Sequence, residues 1–169
     1  VMATWDVEYS WLGEVTGAIT VLPSDHHHAD DGPDVRLATC GFDRTGMQLQ
    51  VQRPDGSPCD PYETGVVSAI GPAVFAGYYN NPEANAKSFR NGWFLTGDLG
   101  YVDDQGFLFL TGRESDMFIS GGSNIYPREI EEKILQHPAI SEVAVVGVPD
   151  PFWGEIGYAV FATAPGQSV

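Results

Sequence analysis

A chain of 169 residues, 43% hydrophobic and 12% aromatic, has apolar surface enough for one ordinary globular core or parts of two smaller ones, which excludes a disordered tail. Its 23 acidic residues against 8 basic ones give a net charge of −15 and a pI near 4.3. Such a surface repels the phosphates of nucleic acid and the anionic face of a membrane, so neither is an expected partner.

Val1 precedes Met2, which reads as a piece of something longer or an added residue. No basic stretch followed by an apolar one opens the chain, so no signal peptide is expected. Uncharged stretches such as residues 66–81 are too short for a bilayer and are broken by Gly and Pro, so no transmembrane segment is expected. Residues 23–32 form a polar, acidic loop carrying His26, His27 and His28; adjacent side chains diverge, and no metal site is expected there. Cys40 and Cys59 have no C-x-x-C spacing or His partner and read as reduced thiols of a cytoplasmic protein. Met47, Leu49 and Val51 alternate with Gln48, Gln50 and Gln52, the pattern of a half-buried strand, and Pro54-Asp55-Gly56 follows as a tight turn. Val66 to Ile70 is a second strand.

Asn81-Pro82-Glu83 predicts a short helix ending near Phe89, with Asn as N-cap, Pro at the first position and an acid in the first turn. Tyr101-Val102 and Phe107 to Leu110 flank Asp103-Asp104-Gln105-Gly106, a hairpin signal. Pro127 opens a second helix, acidic at Glu129, Glu131 and Glu132, with Lys133 and His137 near its end and Pro138 stopping it. Ile130 and Ile134 share one of its faces. Val143 to Val148 is a β-branched strand, and Ile130, Ile134 and Val145 are candidates for an exposed apolar face that limits solubility or takes a partner.

The usual catalytic constellations are missing: no G-x-S-x-G, no H-E-x-x-H, no P-loop lysine. Two features stand out. Thr96-Gly97-Asp98 lies between Trp93-Phe94 and the hairpin, where an Asp after Gly either caps a turn or points a carboxylate at vicinal hydroxyls such as those of a ribose. Gly112-Arg113, Asp116 and Ser120-Gly121-Gly122-Ser123-Asn124 set a cation beside a Gly-rich loop, a combination suited to phosphate.

Gly77-Tyr78-Tyr79-Asn80-Asn81-Pro82-Glu83, Gly92-Trp93-Phe94-Leu95-Thr96-Gly97-Asp98-Leu99-Gly100, the run from Gly112 to Pro127 with Glu129-Ile130-Glu131, and Val148-Pro149-Asp150 with Trp153-Gly154-Glu155 occur in order. On these four elements the sequence resembles the adenylate-forming acyl-CoA synthetases, within the superfamily that also holds luciferases and peptide-synthetase adenylation domains. The resemblance runs from about Gly17 to the end. It implies an α+β fold, with a β-rich, barrel-like subdomain followed by a hinge and the first part of a small α+β lid domain. Residues 1–112 would be the C-terminal part of the large domain, β-rich from about residue 35, and residues 113–169 the hinge and an incomplete lid.

The implied reaction joins a carboxylic acid, fatty or aryl, to ATP with Mg²⁺ as an acyl-adenylate, and then to CoA as a thioester. Asp98 would bind the ribose hydroxyls of ATP and AMP, and Arg113 would lie beside the nucleotide. Ser115 would sit in the hinge, Gly121 and Gly122 would line the pantetheine channel, and Trp153 would lie near the CoA nucleotide. Glu14 would meet the adenylate and Mg²⁺, although Gly13 stands where the family has Thr and Ser10 where it has Tyr. The family's Ser/Thr/Gly-rich phosphate loop and its catalytic Lys have no counterpart here, so this chain alone is expected to be inactive and to need a partner chain, a homo-oligomer or the rest of a longer protein. Two other readings stand beside this one. The first is an adenylating enzyme with another acceptor, which Gly-Gly-Ser-Asn-Ile-Tyr-Pro disfavours; the second is a non-catalytic nucleotide-binding or interaction module of the same fold, which Gly13 and Ser115 favour.

Overall fold

A computed structural model describes residues 8–10, 14–16, 18–23 and 39–167. Gly13 and His26 to His28 lie outside the described residues. The chain divides into two compact units, Val1–Leu110 and Thr111–Val169. The described residues hold twelve strands and two short helices, an α+β, strand-rich fold.

In the first unit, β1 (Glu8–Ser10), β2 (Thr20–Leu22) and β3 (Phe42–Asp43) make one small sheet. The larger sheet runs β4 (Gln48–Gln52), β5 (Gly65–Ile70), β7 (Trp93–Val102) and β6 (Phe89–Arg90), with β8 (Leu108–Arg113) on β7. β4 and β5 pair antiparallel from Gln48↔Ile70 to Gln52↔Val66. The alternation foreseen for β4 fails at its end: Gln52 is buried, and its Nε2 donates to Gln50 Oε1 at 3.0 Å. That bond satisfies the amide nitrogen, while Gln52 Oε1 is buried with no hydrogen-bond partner among the described residues, a cost the strand carries there.

Among the described residues two apolar clusters fill this unit. Val15, Ile19, Met47 and Ala69 form one; Val51, Val67 and Leu108 form the other, with Cys40 and Cys59 packed against it. Both cysteines are free thiols, and burial pushes the Cys59 thiol up from its ordinary value. The Pro54-Asp55-Gly56 turn closes with Gly56 N–H on Arg53 O at 2.9 Å. In the hairpin after β7, Asp103 N–H donates to Phe107 O at 3.0 Å.

Helix α1 (Pro82–Ser88) starts as its sequence requires: Asn81 Oδ1 accepts the Ala84 N–H at 3.0 Å, and Pro82 needs no N–H partner. It stops where Phe89 turns extended and begins β6. Phe89 joins Phe75 and Phe94 in an aromatic group with ring centroids 5.3–5.6 Å apart.

The second unit is a sheet ordered β10 (Ser123–Ile125), β9 (Phe118–Ser120), β12 (Gly154–Thr163), β11 (Ile140–Asp150), with α2 (Pro127–Ile134) beside β11. α2 ends at Ile134, so His137 lies beyond it rather than in its last turn. Leu135 caps it, and a run of turn hydrogen bonds carries the chain to Ile140. β11 is longer than Val143 to Val148 because its whole length pairs with β12, including Gly147↔Gly157. The ring of buried Phe118 covers that glycine pair: a Cβ on Gly147 would lie 2.5 Å from Phe118 Cβ, and one on Gly157 3.2 Å from Phe118 Cζ. The exposed apolar face matches expectation at Ile130, which is exposed, but not at Val145. Val145 is buried, whereas Val146, Ile156, Tyr158, Val160 and Phe161 are exposed.

Candidate functional site

Thr96-Gly97-Asp98 is a break in an otherwise regular ladder. Val66 pairs with Leu99 and Ser68 with Leu95, so Val67 alone faces three residues of β7. This bulge is possible because Gly97 takes φ +78°, a conformation costly for side-chain-bearing residues. The Thr96 hydroxyl knits the gap. It donates to Val67 O at 2.9 Å and accepts the Asp98 N–H at 3.0 Å. The T-G-D tripeptide is thus a device in which Thr supplies the lost ladder bonds, Gly supplies the φ, and the half-buried Asp98 carboxylate is held off the regular strand.

Asp98 and Thr96 line a cavity of about 10 Å³ with Thr20, Leu49, Val67 and Leu108. Thr20 is fully buried, and its hydroxyl has no hydrogen-bond partner among the described residues. Nothing in the sequence reading singled out Thr20; only its packing under the bulge makes it visible.

Glu14 is fixed by its backbone to the segment before α1. Phe75 N–H donates to Glu14 O at 3.0 Å, Thr16 N–H donates to Ala73 O at 2.8 Å, and Val15 bridges Val74. Its carboxylate accepts the Tyr78 phenol at 3.1 Å. Burial, and then this hydrogen bond, raise the Tyr78 phenol above its ordinary value. No group of three or more His, Cys, Asp or Glu converges among the described residues. A lone carboxylate nonetheless fits magnesium, which keeps waters and substrate phosphates around one or two protein ligands.

In the second unit Arg113 ends β8, exposed, and its carbonyl accepts the N–H groups of Asp116 and Met117 at 3.1 and 3.2 Å. Ser115 lies in that turn, its hydroxyl donating to Asp116 Oδ1 at 2.8 Å. Gly121 and Gly122 are a two-residue hairpin turn between β9 and β10, with φ +56° and +85° and Ser120 paired to Ser123. The glycines that looked like a phosphate cradle are thus required by the turn itself. Gly121 also meets Trp153: its N–H donates to Trp153 O at 2.9 Å, and a Cβ there would fall 2.6 Å from the indole. Asp150 Oδ1 accepts the N–H groups of Phe152 and Trp153, presenting both rings outward, 82% and 53% exposed.

The AMP-binding enzyme C-terminal domain family matches residues 129–169. The 2-succinylbenzoate–CoA ligase of Bacillus velezensis is 47% identical over 124 residues, 73% of this chain and 25% of that protein. The solved o-succinylbenzoate CoA synthetase of Bacillus subtilis, in complex with its acyl-adenylate intermediate, superposes with a TM-score of 0.85 at 37% identity over 96% of this chain and 32% of its own. The chain belongs to the adenylate-forming acyl-CoA synthetase family. The feruloyl-CoA synthase of an Amycolatopsis species is a further member, 38% identical over 157 residues, 93% of this chain and 31% of that protein. The Bacillus subtilis synthetase has also been solved with ATP and a magnesium ion, where the TM-score is 0.83 at 36% identity over 96% of this chain and 32% of its own.

This chain therefore spans about a quarter to a third of the relatives it matches. These relatives are named for aryl acids, so the fatty-acid half of the expected substrate range finds no support among them. Among the described residues no helix is long and apolar enough to cross a membrane.

Proposed function

We propose that this chain is part of a cytoplasmic ATP-dependent acid–CoA ligase for an aryl carboxylic acid, contributing ribose recognition, a magnesium carboxylate and part of the CoA-facing surface. The observation that carries the reading is the Asp98 bulge. The cavity beneath it has room for one water and not for a sugar, so the carboxylate meets a nucleotide from the open side. There Asp98 accepts hydrogen bonds from both vicinal ribose hydroxyls, and Thr96 and Gly97 prevent it from swinging back into the ladder.

Arg113 would lie beside the nucleotide, and Glu14 would hold Mg²⁺, which neutralises phosphate charge when bound. Ser115 is small enough for the turn after β8 to act as the hinge. Gly121, Gly122 and Trp153 offer a backbone turn and an exposed indole to pantetheine and the CoA nucleotide. Eight basic residues against a net charge of −15 cannot neutralise a triphosphate unaided, so the chain by itself does not turn over.

The test is calorimetric titration of AMP into the chain and into Asp98→Ala. Losing two hydrogen bonds to a charged group should weaken binding roughly a hundredfold, with the melting temperature little changed. Equal affinities, or none in the parent chain, would leave the non-catalytic interaction module as the better description.

A further inference from the structure

Helix α1 buries none of its residues. Full burial in a core therefore does not account for this helix, and its contacts supply another reason for it. Asn85, on α1, accepts the Tyr78 N–H at 2.6 Å and returns its own Nδ2–H to Tyr78 O at 3.0 Å, clamping that residue's backbone from both sides. Gly77 makes room for the clamp: it adopts φ +129°, and a Cβ there would lie 2.9 Å from Asn85 Oδ1. The Tyr78 ring is held edge-on by Phe75 at 4.9 Å, and Phe75 is itself locked between Phe89 and Phe94. So oriented, the phenol reaches Glu14 Oε1 at 3.1 Å, while the Glu14 carbonyl is tied to Phe75 N–H. A carboxylate offers about four lone-pair sites, so one donor fixes its rotation and still leaves capacity for a cation.

We propose that Tyr78 is a positioning residue for Glu14, holding its carboxylate in the orientation that takes a nucleotide-bound divalent cation, and that α1 serves to hold Tyr78. The proposal rests on the nucleotide reading above. It gives Gly77-Tyr78 and the Asn81-Pro82-Glu83 helix start one shared purpose.

The test compares ATP affinity with MgCl₂ and with EDTA for the parent chain, Tyr78→Phe, Glu14→Gln and the double variant. Tyr78→Phe keeps the ring and its packing. It should cut the magnesium-dependent gain in affinity roughly five- to tenfold, leave the EDTA affinity unchanged, and add nothing in the Glu14→Gln background. Asn85→Ala, which frees the backbone of Tyr78, should move the same quantity in the same direction. A magnesium gain in Tyr78→Phe equal to the parent's would sink the role and leave the nucleotide reading standing. So would a loss of equal size in EDTA or in the Glu14→Gln background, because a packing effect does not depend on the cation or the carboxylate. A parent chain that binds no ATP would overturn the nucleotide reading and this role together.

Discussion

The β5–β7 pair and the longer β11–β12 pair are both antiparallel ladders, yet they are built on opposite terms. β11 and β12 stay in register from Glu142↔Ala162 to Asp150↔Gly154, and β12 is exposed along nearly all of its length. β5, which contributes buried Val67, Ser68 and Ala69, and β7 lose register at Thr96, Gly97 and Asp98. The difference shows where an irregularity can be kept. A bulge weakens the strand that carries it, so it persists where a packed core fixes the flanking residues and a side chain replaces the missing ladder bonds. A half-buried carboxylate placed there is rigid; the same carboxylate on the exposed hairpin would be one more mobile surface charge.

The sharpest way to break the contrast is Thr96→Val. It strips Val67 O and Asp98 N–H of their shared partner, and we expect about 2–3 kcal/mol of lost stability by urea unfolding, together with weaker AMP binding. Gly147→Ala attacks the regular ladder instead. The new methyl meets Phe118, with an expected cost of about 1–3 kcal/mol and AMP affinity untouched, because the ladder is regular around Gly147↔Gly157 and has nothing there to absorb it. Gly97→Ala meets no neighbouring atom, so only the backbone conformation resists it; about 1 kcal/mol is expected, and a larger loss would mean that the bulge itself has rearranged.

The smallest effect is on acid stability. Glu63 accepts hydrogen bonds from the Arg53 guanidinium, which holds its carboxyl below the usual range. A depressed carboxyl stabilises the fold above its unfolded value of about 4.3, and that contribution fades as the pH falls through the lower folded value. Glu63→Gln should therefore lose stability at pH 7, while its unfolding midpoint should change less than the parent's between pH 5 and pH 3.

Local chemistry was legible where one or two residues decide it. Asn81-Pro82 announced the start of α1, Pro54-Asp55-Gly56 its turn, and Asp103 to Gly106 its hairpin. β9 and β10 escaped notice because three-residue strands carry too little alternation, and Gly121-Gly122 between them looked like a phosphate loop rather than a turn. β12 was missed because Gly154, Gly157 and several Ala dilute its pattern, and its pairing with β11 is non-local. The Asp98 carboxylate could be named from Thr96-Gly97-Asp98, but its bulge depends on Val67, thirty-one positions upstream. Thr20, which lines the cavity under Asp98, and Tyr78, which bonds Glu14, lie further still from those residues in sequence, and no window of sequence links them.

One contact in the second unit has a consequence for assembly. β11 is an edge strand among the described residues, and Glu131 on α2 turns its carboxylate onto the Val145 N–H at 2.8 Å. An eleven-residue edge rich in valine is a template on which another strand can grow. Glu131 occupies one rung of it, and the net charge of −15 keeps copies of the chain apart. That repulsion vanishes near pH 4.3, leaving the Glu131 side chain on the Val145 N–H as an obstacle to polymerisation. Glu131→Ala should therefore bring fibrillation to milder acid than the parent chain requires.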